Sequence, residues 1–104
     1  MYKMLVFIKR SEEGSASEHF QSKVLPLLQK ISNEKLNIAN IGGAMLSEEK
    51  FSSFCEVSFP SSDYFNRLMQ TPEGKQITKE LAALNNVISV FFADYGGQNE
   101  FVPD

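Results

Sequence analysis

The run of residues 87–95, near the end of the chain, is strand-like but has no polar face. Successive side chains of a strand point to opposite sides of the sheet, so a strand with one wet side alternates apolar and polar residues. Here both alternating sets are mostly apolar, and residues 2–8 show the same pattern. A chain of 104 residues has helices enough to cover only one face of its sheet. We therefore expect a second copy of the same sheet to cover the other face.

Length and composition indicate one ordinary globular domain and exclude several classes of function. The chain is 42% hydrophobic and 22% charged, and we place a single domain at residues 1–95, followed by a tail at residues 96–104. The formal net charge of -3 argues against binding to nucleic acid, which needs concentrated positive charge. A single cysteine, Cys55, excludes an intramolecular disulfide and a thiolate metal cluster.

Two further observations concern localisation. No apolar stretch approaches the roughly 20 residues that span a bilayer. The first residues run straight into a strand pattern and lack a signal-peptide cleavage region. We therefore expect a cytoplasmic protein that does not contact a membrane.

Periodicity divides the chain into strands and helices without a linker or a repeat. We predict strands at residues 2–9, 36–46, 51–59 and 87–95, a helix at 17–32, a short helix capped by Ser61 or Ser62, and a helix from Thr71-Pro72-Glu73 to about Asn85. The resulting βαββαβ order is typical of the ferredoxin-like α+β fold, in which helices cover one face of a four-stranded antiparallel sheet. In that topology the last strand lies at a sheet edge, where a second copy would protect it.

Prolines and glycines interrupt two of these elements. Pro26 lies inside the first helix, removes a backbone hydrogen bond and should kink the helix or make it restart locally. Gly42-Gly43 lies inside the second predicted strand and indicates a bulge or a bend.

Other proteins with this element order carry chemical signatures that differ from the residues seen here. An RNA-recognition domain needs basic residues and glycines beside the aromatics of its third strand, and residues 51–56 supply only the aromatics. A metal chaperone needs two cysteines near the first loop, and residues 10–15 contain none. A phosphate-binding loop needs more glycine than Gly14 alone.

Several segments match the pattern of a known family. They are an opening strand that ends in Lys9-Arg10, Leu25-Pro26-Leu27 in the first helix, and the run from Phe59-Pro60-Ser61-Ser62-Asp63-Tyr64-Phe65 into Thr71-Pro72-Glu73-Gly74. With these segments, residues 3–95 resemble the EthD-like family of the dimeric α+β barrel superfamily. The resemblance implies a homodimer in which two four-stranded sheets face each other as a barrel, with the helices outside.

The resemblance also implies a ligand site. Relatives in the superfamily bind small, often aromatic molecules in a cleft between sheet and helices, and include cofactor-free monooxygenases, cyclases and isomerases; EthD-like proteins are mostly linked to degradation pathways. The sequence has no glycine fingerprint for a nucleotide and no metal-site pattern, so we expect no cofactor and no metal. We predict a ligand pocket lined by Phe7, Phe20, Val24, Phe59, Phe65, Met69 and Phe92.

The first helix departs from the family pattern at Val24. EthD-like first helices commonly carry a histidine two residues before the proline, in a His-Ala-Pro pattern, so the usual acid–base candidate is missing. The only histidine, His19, lies off the apolar stripe of the helix. It is either a proton-transfer group at the cleft edge or a solvated residue, and we favour the solvated residue because nothing in the sequence fixes a partner for it.

Four other side chains carry two interpretations each. Asp94 is either a buried base with a raised pKa or, as we prefer, a carboxylate paired at the sheet edge. Tyr64 and Tyr95 either donate hydrogen bonds to a ligand or pack at the rim of the core. Cys55 is more consistent with a buried, inert thiol than with a nucleophile.

Two classes of function remain open. The first is a catabolic enzyme or ligand-handling protein that binds a small apolar or aromatic molecule, and the second is a non-catalytic dimeric accessory module. Because Val24 replaces the family's histidine, we favour binding over a defined reaction. We also expect Phe101-Val102-Pro103 of the tail to pack across the partner protomer rather than to fray.

Overall fold

Four strands form one antiparallel sheet in the computed structural model, which describes residues 1–10, 15–43 and 51–95. They are β1 (Tyr2–Lys9), β2 (Ile38–Asn40), β3 (Phe51–Phe59) and β4 (Ile88–Asp94). Their order across the sheet is β2-β3-β1-β4. The predicted βαββαβ order, and the position of the last strand at a sheet edge, are therefore confirmed. The predicted tail at residues 96–104 and the loop at 11–14 lie outside the described residues.

The helices pack on one side of this sheet. They are α1 (Ser15–His19), a π-helical turn (Phe20–Val24), α2 (Leu25–Ser32), α3 (Ser62–Leu68) and α4 (Pro72–Ala82). None of the described helices is both long and apolar enough to cross a membrane.

The first helical segment changes its winding just before Pro26. The Leu25 N–H donates to the carbonyl of Phe20, five residues earlier, which is the hydrogen bond of a π turn. Pro26 has no N–H, and its ring would crowd the carbonyl four residues earlier in a regular α-helix. The wide turn relieves this crowding, and α2 then restarts at Leu25, as the sequence predicts. Asn33, with φ of 56°, ends α2 in the left-handed conformation.

Side-chain caps begin α3 and α4 at the residues expected from the sequence. The Ser61 hydroxyl accepts a hydrogen bond from the Tyr64 N–H at 3.1 Å, and the Thr71 hydroxyl accepts one from the Gly74 N–H at 3.1 Å. Helix α4 ends at Ala82, earlier than the predicted Asn85. The N–H groups of Leu84 and Asn85 donate to carbonyls three residues earlier, so the chain there tightens into turns.

The second strand is much shorter than the predicted 36–46. The Leu36 N–H donates to the side-chain carbonyl of Gln29 at 3.0 Å instead of joining the ladder, and Leu36 itself is buried in the core. The described strand ends at Asn40, before Gly42-Gly43, and the predicted strand residues 44–46 lie outside the described residues, so the predicted bulge or bend stays a prediction. The Ile41 N–H still donates to the Ser52 carbonyl at 2.9 Å, so hydrogen bonding to β3 reaches the residue before the two glycines.

The alternation of side chains gives the sheet two different faces. On the helix side, Met4, Val6 and Ile8 of β1 and Cys55, Val57 and Phe59 of β3 are at most 1% exposed. Phe20, Val24, Leu28 and Ile77 of the helices complete this core. The three β3 residues alternate along the strand and so share one face of the sheet.

The opposite side of the sheet is apolar as well, and we call it the open face. Its centre is an aromatic group in which the Phe7 ring lies 4.9 Å from Phe54, 5.3 Å from Phe51 and 5.9 Å from Phe91. Phe91 is 56% exposed, because the described helices pack on the other side. The single chain thus leaves an aromatic surface in water, as the two-sided apolar strands predict.

Gly74 in the first turn of α4 is required by a close approach of two backbones. A Cβ at this position would collide with the carbonyl oxygen of Leu68 and the backbone of Met69. We expect Gly74→Ala to lower the free energy of unfolding by about 1–3 kcal/mol, as overpacking does. Gly42→Ala is the matched control, because a Cβ there has no atom within 4 Å. Urea denaturation of both variants measures the difference, and equal stabilities would contradict the packing.

Candidate functional site

An apolar cavity of about 570 Å³ lies between the helix side of β4 and helices α3 and α4. We call it the β4 groove. Its floor is formed by side chains of β1 and β4, namely Met4, Ile88, Val90 and Phe92. Its wall is formed by α3, α4 and the residues that follow each of them, namely Phe65, Asn66, Met69, Thr78, Leu81, Ala82 and Asn85. A volume of this size is within the range of sites for small molecules.

The groove has an aromatic end and an aliphatic end. The Phe65 and Phe92 rings lie 5.2 Å apart at one end, and the Tyr2 ring stacks on Phe92 at 5.4 Å and lies 5.6 Å from Phe65. At the other end, the Ile88 N–H donates to the Leu84 carbonyl at 3.0 Å and so fixes the start of β4 beside the end of α4. A planar ring would therefore find edge and face contacts at the first end only.

Polar groups in the groove are few and neutral. Asn66 and Asn85 are exposed, and neither side-chain amide forms a hydrogen bond to another described residue. The Thr78 hydroxyl donates to the Gly74 carbonyl at 3.1 Å, which leaves its oxygen as an acceptor. None of the described residues that line the groove carries a charge. The groove can therefore bury apolar surface and offer neutral hydrogen bonds.

The structure brings together three of the seven side chains predicted to line a pocket. Phe65, Met69 and Phe92 line the β4 groove. Phe20, Val24 and Phe59 lie in the solid core with at most 1% exposure. Phe7 lies on the open face, because an odd-numbered residue of β1 points away from Met4 and Val6. Contact of any of the seven with a ligand stays a prediction.

Most of the lining was not anticipated from the sequence. The position of Ile88 and Val90 could have been predicted from the sequence, since they alternate with Phe92 along one strand and must share its face. Asn66, Leu81 and Asn85 carry none, because only the packing of α3 and α4 over β4 brings them to the same cavity.

His19 has a partner that sequence analysis did not find. Its Nε2 lies 2.7 Å from a carboxylate oxygen of Glu80, and the other oxygen of Glu80 accepts from Gln76 at 2.8 Å. His19 thus connects the end of α1 to α4; its side chain is 37% exposed, which agrees with the solvated residue that we favoured, but it has a partner that the sequence does not fix. The hydrogen bond from His19 lowers the pKa of Glu80 from its ordinary value of 4.5. Neither side chain lines the β4 groove.

The other sequence-predicted polar candidates also lie outside the groove lining. Asp94 is exposed at the end of β4 and forms no ion pair with a described residue, so neither burial nor edge pairing is found. Tyr64 is 40% exposed, whereas its neighbour Phe65 in α3 is buried. Tyr95, 63% exposed, does not pack at the rim of the core; it lies on the side of the open face with Lys3 Nζ 5.5 Å from its ring centre.

Cys55 behaves as predicted for a buried thiol. It is 0% exposed between Val57 and Ser53 on the helix side of β3. Desolvation, with the nearby Glu56 charge, raises the pKa of the thiol to about 11. Because the thiolate is the reactive form, this environment makes Cys55 unreactive at neutral pH.

The polar end of the open face is formed by one ion pair. Lys3 of β1 and Glu56 of β3 are diagonal neighbours across the ladder and are joined by a hydrogen bond. That bond raises the pKa of Lys3 above 10.5. The open face is therefore aromatic around Phe7 and charged around Lys3.

Comparisons with solved structures show which fold this is. The chain is similar to an EthD family protein from Bacillus halodurans, with a TM-score of 0.73 and 22% identity over 92% of this chain and 99% of that one. It is also similar to a dimeric protein of unknown function with a ferredoxin-like fold from Bacteroides fragilis, with a TM-score of 0.54 and 17% identity over 90% and 95% of the two chains.

A third similar structure is the cofactor-independent oxygenase SnoaB from Streptomyces nogalater. Its TM-score is 0.53, and its 9% identity extends over 99% of this chain and 96% of that one. No family model matches the sequence, and no curated protein matches it significantly. At these identities the likeness shows the fold, so the predicted ferredoxin-like α+β architecture and its similarity to an EthD family structure are confirmed.

Glu80→Gln should remove a pH-dependent part of the stability. The pKa of Glu80 is lowered in the folded state, so its carboxylate stabilises the fold above the ordinary pKa, and this contribution disappears as the pH falls through the lowered value. We expect the difference in unfolding free energy between wild type and Glu80→Gln to shrink below about pH 4.5.

Urea denaturation across the acid range measures this difference, and the control is the same substitution in a His19→Gln background. There the effect should largely disappear, because the two side chains act on each other. A difference that does not change with pH, or that is equal in both backgrounds, would contradict the assignment.

Proposed function

We propose that this protein is an EthD-like homodimer that binds a small apolar or aromatic molecule in the β4 groove of each protomer. The observation that carries the proposal is the exposure of two adjacent aromatic side chains, Phe91 and Phe92. These neighbours on β4 are 56% and 46% exposed and point to opposite sides of the sheet. Phe91 belongs to the open face and Phe92 to the β4 groove, and one protomer leaves both apolar surfaces in water. In the proposal, a second protomer covers the open face and a small molecule occupies the groove.

The open face supports the homodimer. An antiparallel sheet with a solvated face normally carries polar side chains there, whereas Leu5, Phe7, Phe54 and Phe91 are apolar. Exposed aromatic patches rimmed by polar residues are typical of protein interfaces, and Lys3 and Glu56 supply such a rim. The similar structure from Bacteroides fragilis is described as dimeric. Two copies packed through their open faces would form the closed barrel that the resemblance implies.

The β4 groove supports binding of a small molecule. It lies on the helix side of the sheet, so pairing of two open faces would leave it accessible. Burial of apolar ligand surface would contribute about 25 cal/mol per Å². One similar structure is that of a cofactor-independent oxygenase, and this accords with small-molecule chemistry on the fold.

Binding is favoured over a cofactor-independent oxygenase, cyclase or isomerase reaction. The polar candidates His19, Asp94 and Tyr64 are not among the lining residues of the groove, and Val24 is buried in the core. Proton transfer needs a group within hydrogen-bond reach of the reacting atom. A purely accessory dimer is disfavoured by the groove itself, which such a role would not require.

The homodimer is tested by the same substitution on either side of β4. Phe91→Ser should raise the dimer dissociation constant at least about tenfold, because it removes one buried aromatic side chain from each protomer. Phe92→Ser, on the helix side, is the matched control and should leave dimerisation unchanged. Sedimentation velocity at micromolar concentration measures both, and a wild-type protein that sediments as a single chain would overturn the dimer.

The ligand site is tested by filling the groove. N-phenyl-1-naphthylamine, a neutral probe that fluoresces in apolar sites, should bind once per protomer. Ala82→Phe should weaken this binding at least about tenfold by occupying the cavity. Ala83→Phe, at the next exposed position and outside the lining, should change it less than about twofold. Absence of binding to the wild type, or equal effects of the two variants, would contradict the site.

A further inference from the structure

We infer that the β4 groove selects uncharged, elongated molecules whose aromatic ring lies at the Phe65–Phe92 end and whose polar groups are hydrogen-bonding but not ionised. This inference rests on the proposed ligand site and adds the chemical class of its ligand. It follows from the charge, the length and the two ends of the groove.

The absence of charge in the described lining disfavours ionised ligands. A carboxylate or ammonium group placed against Val90, Leu81 and Ile88 would lose hydration without gaining a counter-ion. The charged residue next along the floor is Asp94, which shares the helix side of β4 with Phe92 and pairs with Tyr2. Its negative charge at the aromatic end disfavours anions further.

The length of the groove favours an elongated ligand. The floor runs along β4 from Ile88 to Phe92, which is four residues of strand or about 13 Å. Met4, paired with Phe92, fills the floor under the aromatic end. A single six-membered ring would cover less than half of this length, whereas two linked rings would cover most of it.

The two free amides specify where polar groups would lie. Asn66 follows Phe65 at the aromatic end, and Asn85 lies beyond Leu81 and Ala82 at the aliphatic end. Each amide can donate and accept one or more hydrogen bonds without requiring a charge. The Thr78 oxygen adds an acceptor between them. Phenols, ketones, esters and carboxamides meet these conditions, and aromatic acids do not.

Two probes of the same size and shape test the inference. Biphenyl-4-carboxamide and biphenyl-4-carboxylate differ only in charge at neutral pH. We expect the carboxamide to bind the wild-type dimer at least about tenfold more tightly, measured by calorimetry or by displacement of N-phenyl-1-naphthylamine. A carboxylate that binds as tightly as the carboxamide would overturn the inference and leave the proposed function intact.

Neighbouring asparagines supply a matched pair of variants. Asn85→Lys places a cation in the lining and should shift the preference toward the carboxylate by at least about tenfold. Asn86→Lys adds the same charge at the next exposed position, outside the lining, and should shift it less than about threefold. Equal shifts would mean that overall charge, rather than the groove, sets the preference, and would overturn the inference.

The remaining outcomes separate the inference from the proposed function. If neither biphenyl binds while N-phenyl-1-naphthylamine does, the groove is a ligand site but the inferred class is wrong. If none of the three molecules binds, the proposed ligand site fails and the inference fails with it.

Discussion

The pairing of β1 with β4 is the constraint on which the rest of the structure depends. In this register Met4 lies beside Phe92 and Val6 beside Val90 on the helix side, while Leu5 lies beside Phe91 on the open face. A shift of one residue would exchange the two sets. Because the side chains on both faces are apolar, such a shift would still place apolar side chains on the helix side. The packing of Met4, Val6 and Ile8 against the helices opposes the shift, because these side chains fill the core on that side.

This pairing also separates the two exposed apolar surfaces of the chain, the open face and the β4 groove. The open face carries a cluster of phenylalanine rings, with an ion pair at one end. The β4 groove presents a concave, neutral cavity framed by two short helices. The edge strand β4 contributes to both through alternate residues, so the two surfaces share one seven-residue segment but no side chains.

Local patterns in the sequence predict the strands, the caps and the two-faced sheet, because these depend on residues close together in the chain. The alternation in β3 is enough to place Cys55 and Val57 on one face, and Thr71-Pro72 is enough to begin α4. The start of β2 was predicted too early, since Leu36 looks like a strand residue although its N–H donates to the Gln29 side chain. The candidate site was harder to predict. His19 and Glu80 are 61 positions apart, and the groove assembles side chains from two strands and two helices whose packing no local pattern encodes.

The π turn resolves a geometrical problem in the first helical segment. Ala16, Phe20, Val24 and Leu28 are buried at intervals of four residues. In an α-helix of 3.6 residues per turn, each such interval overshoots a full turn by about 40°, so the line of buried groups would spiral away from the sheet. A wider turn in the middle absorbs that overshoot and brings all four groups back into one row. The buried side chains of the segment therefore stay in line along the sheet. The π turn of the backbone corrects their angular position around the helix axis, and the four-residue spacing does not change.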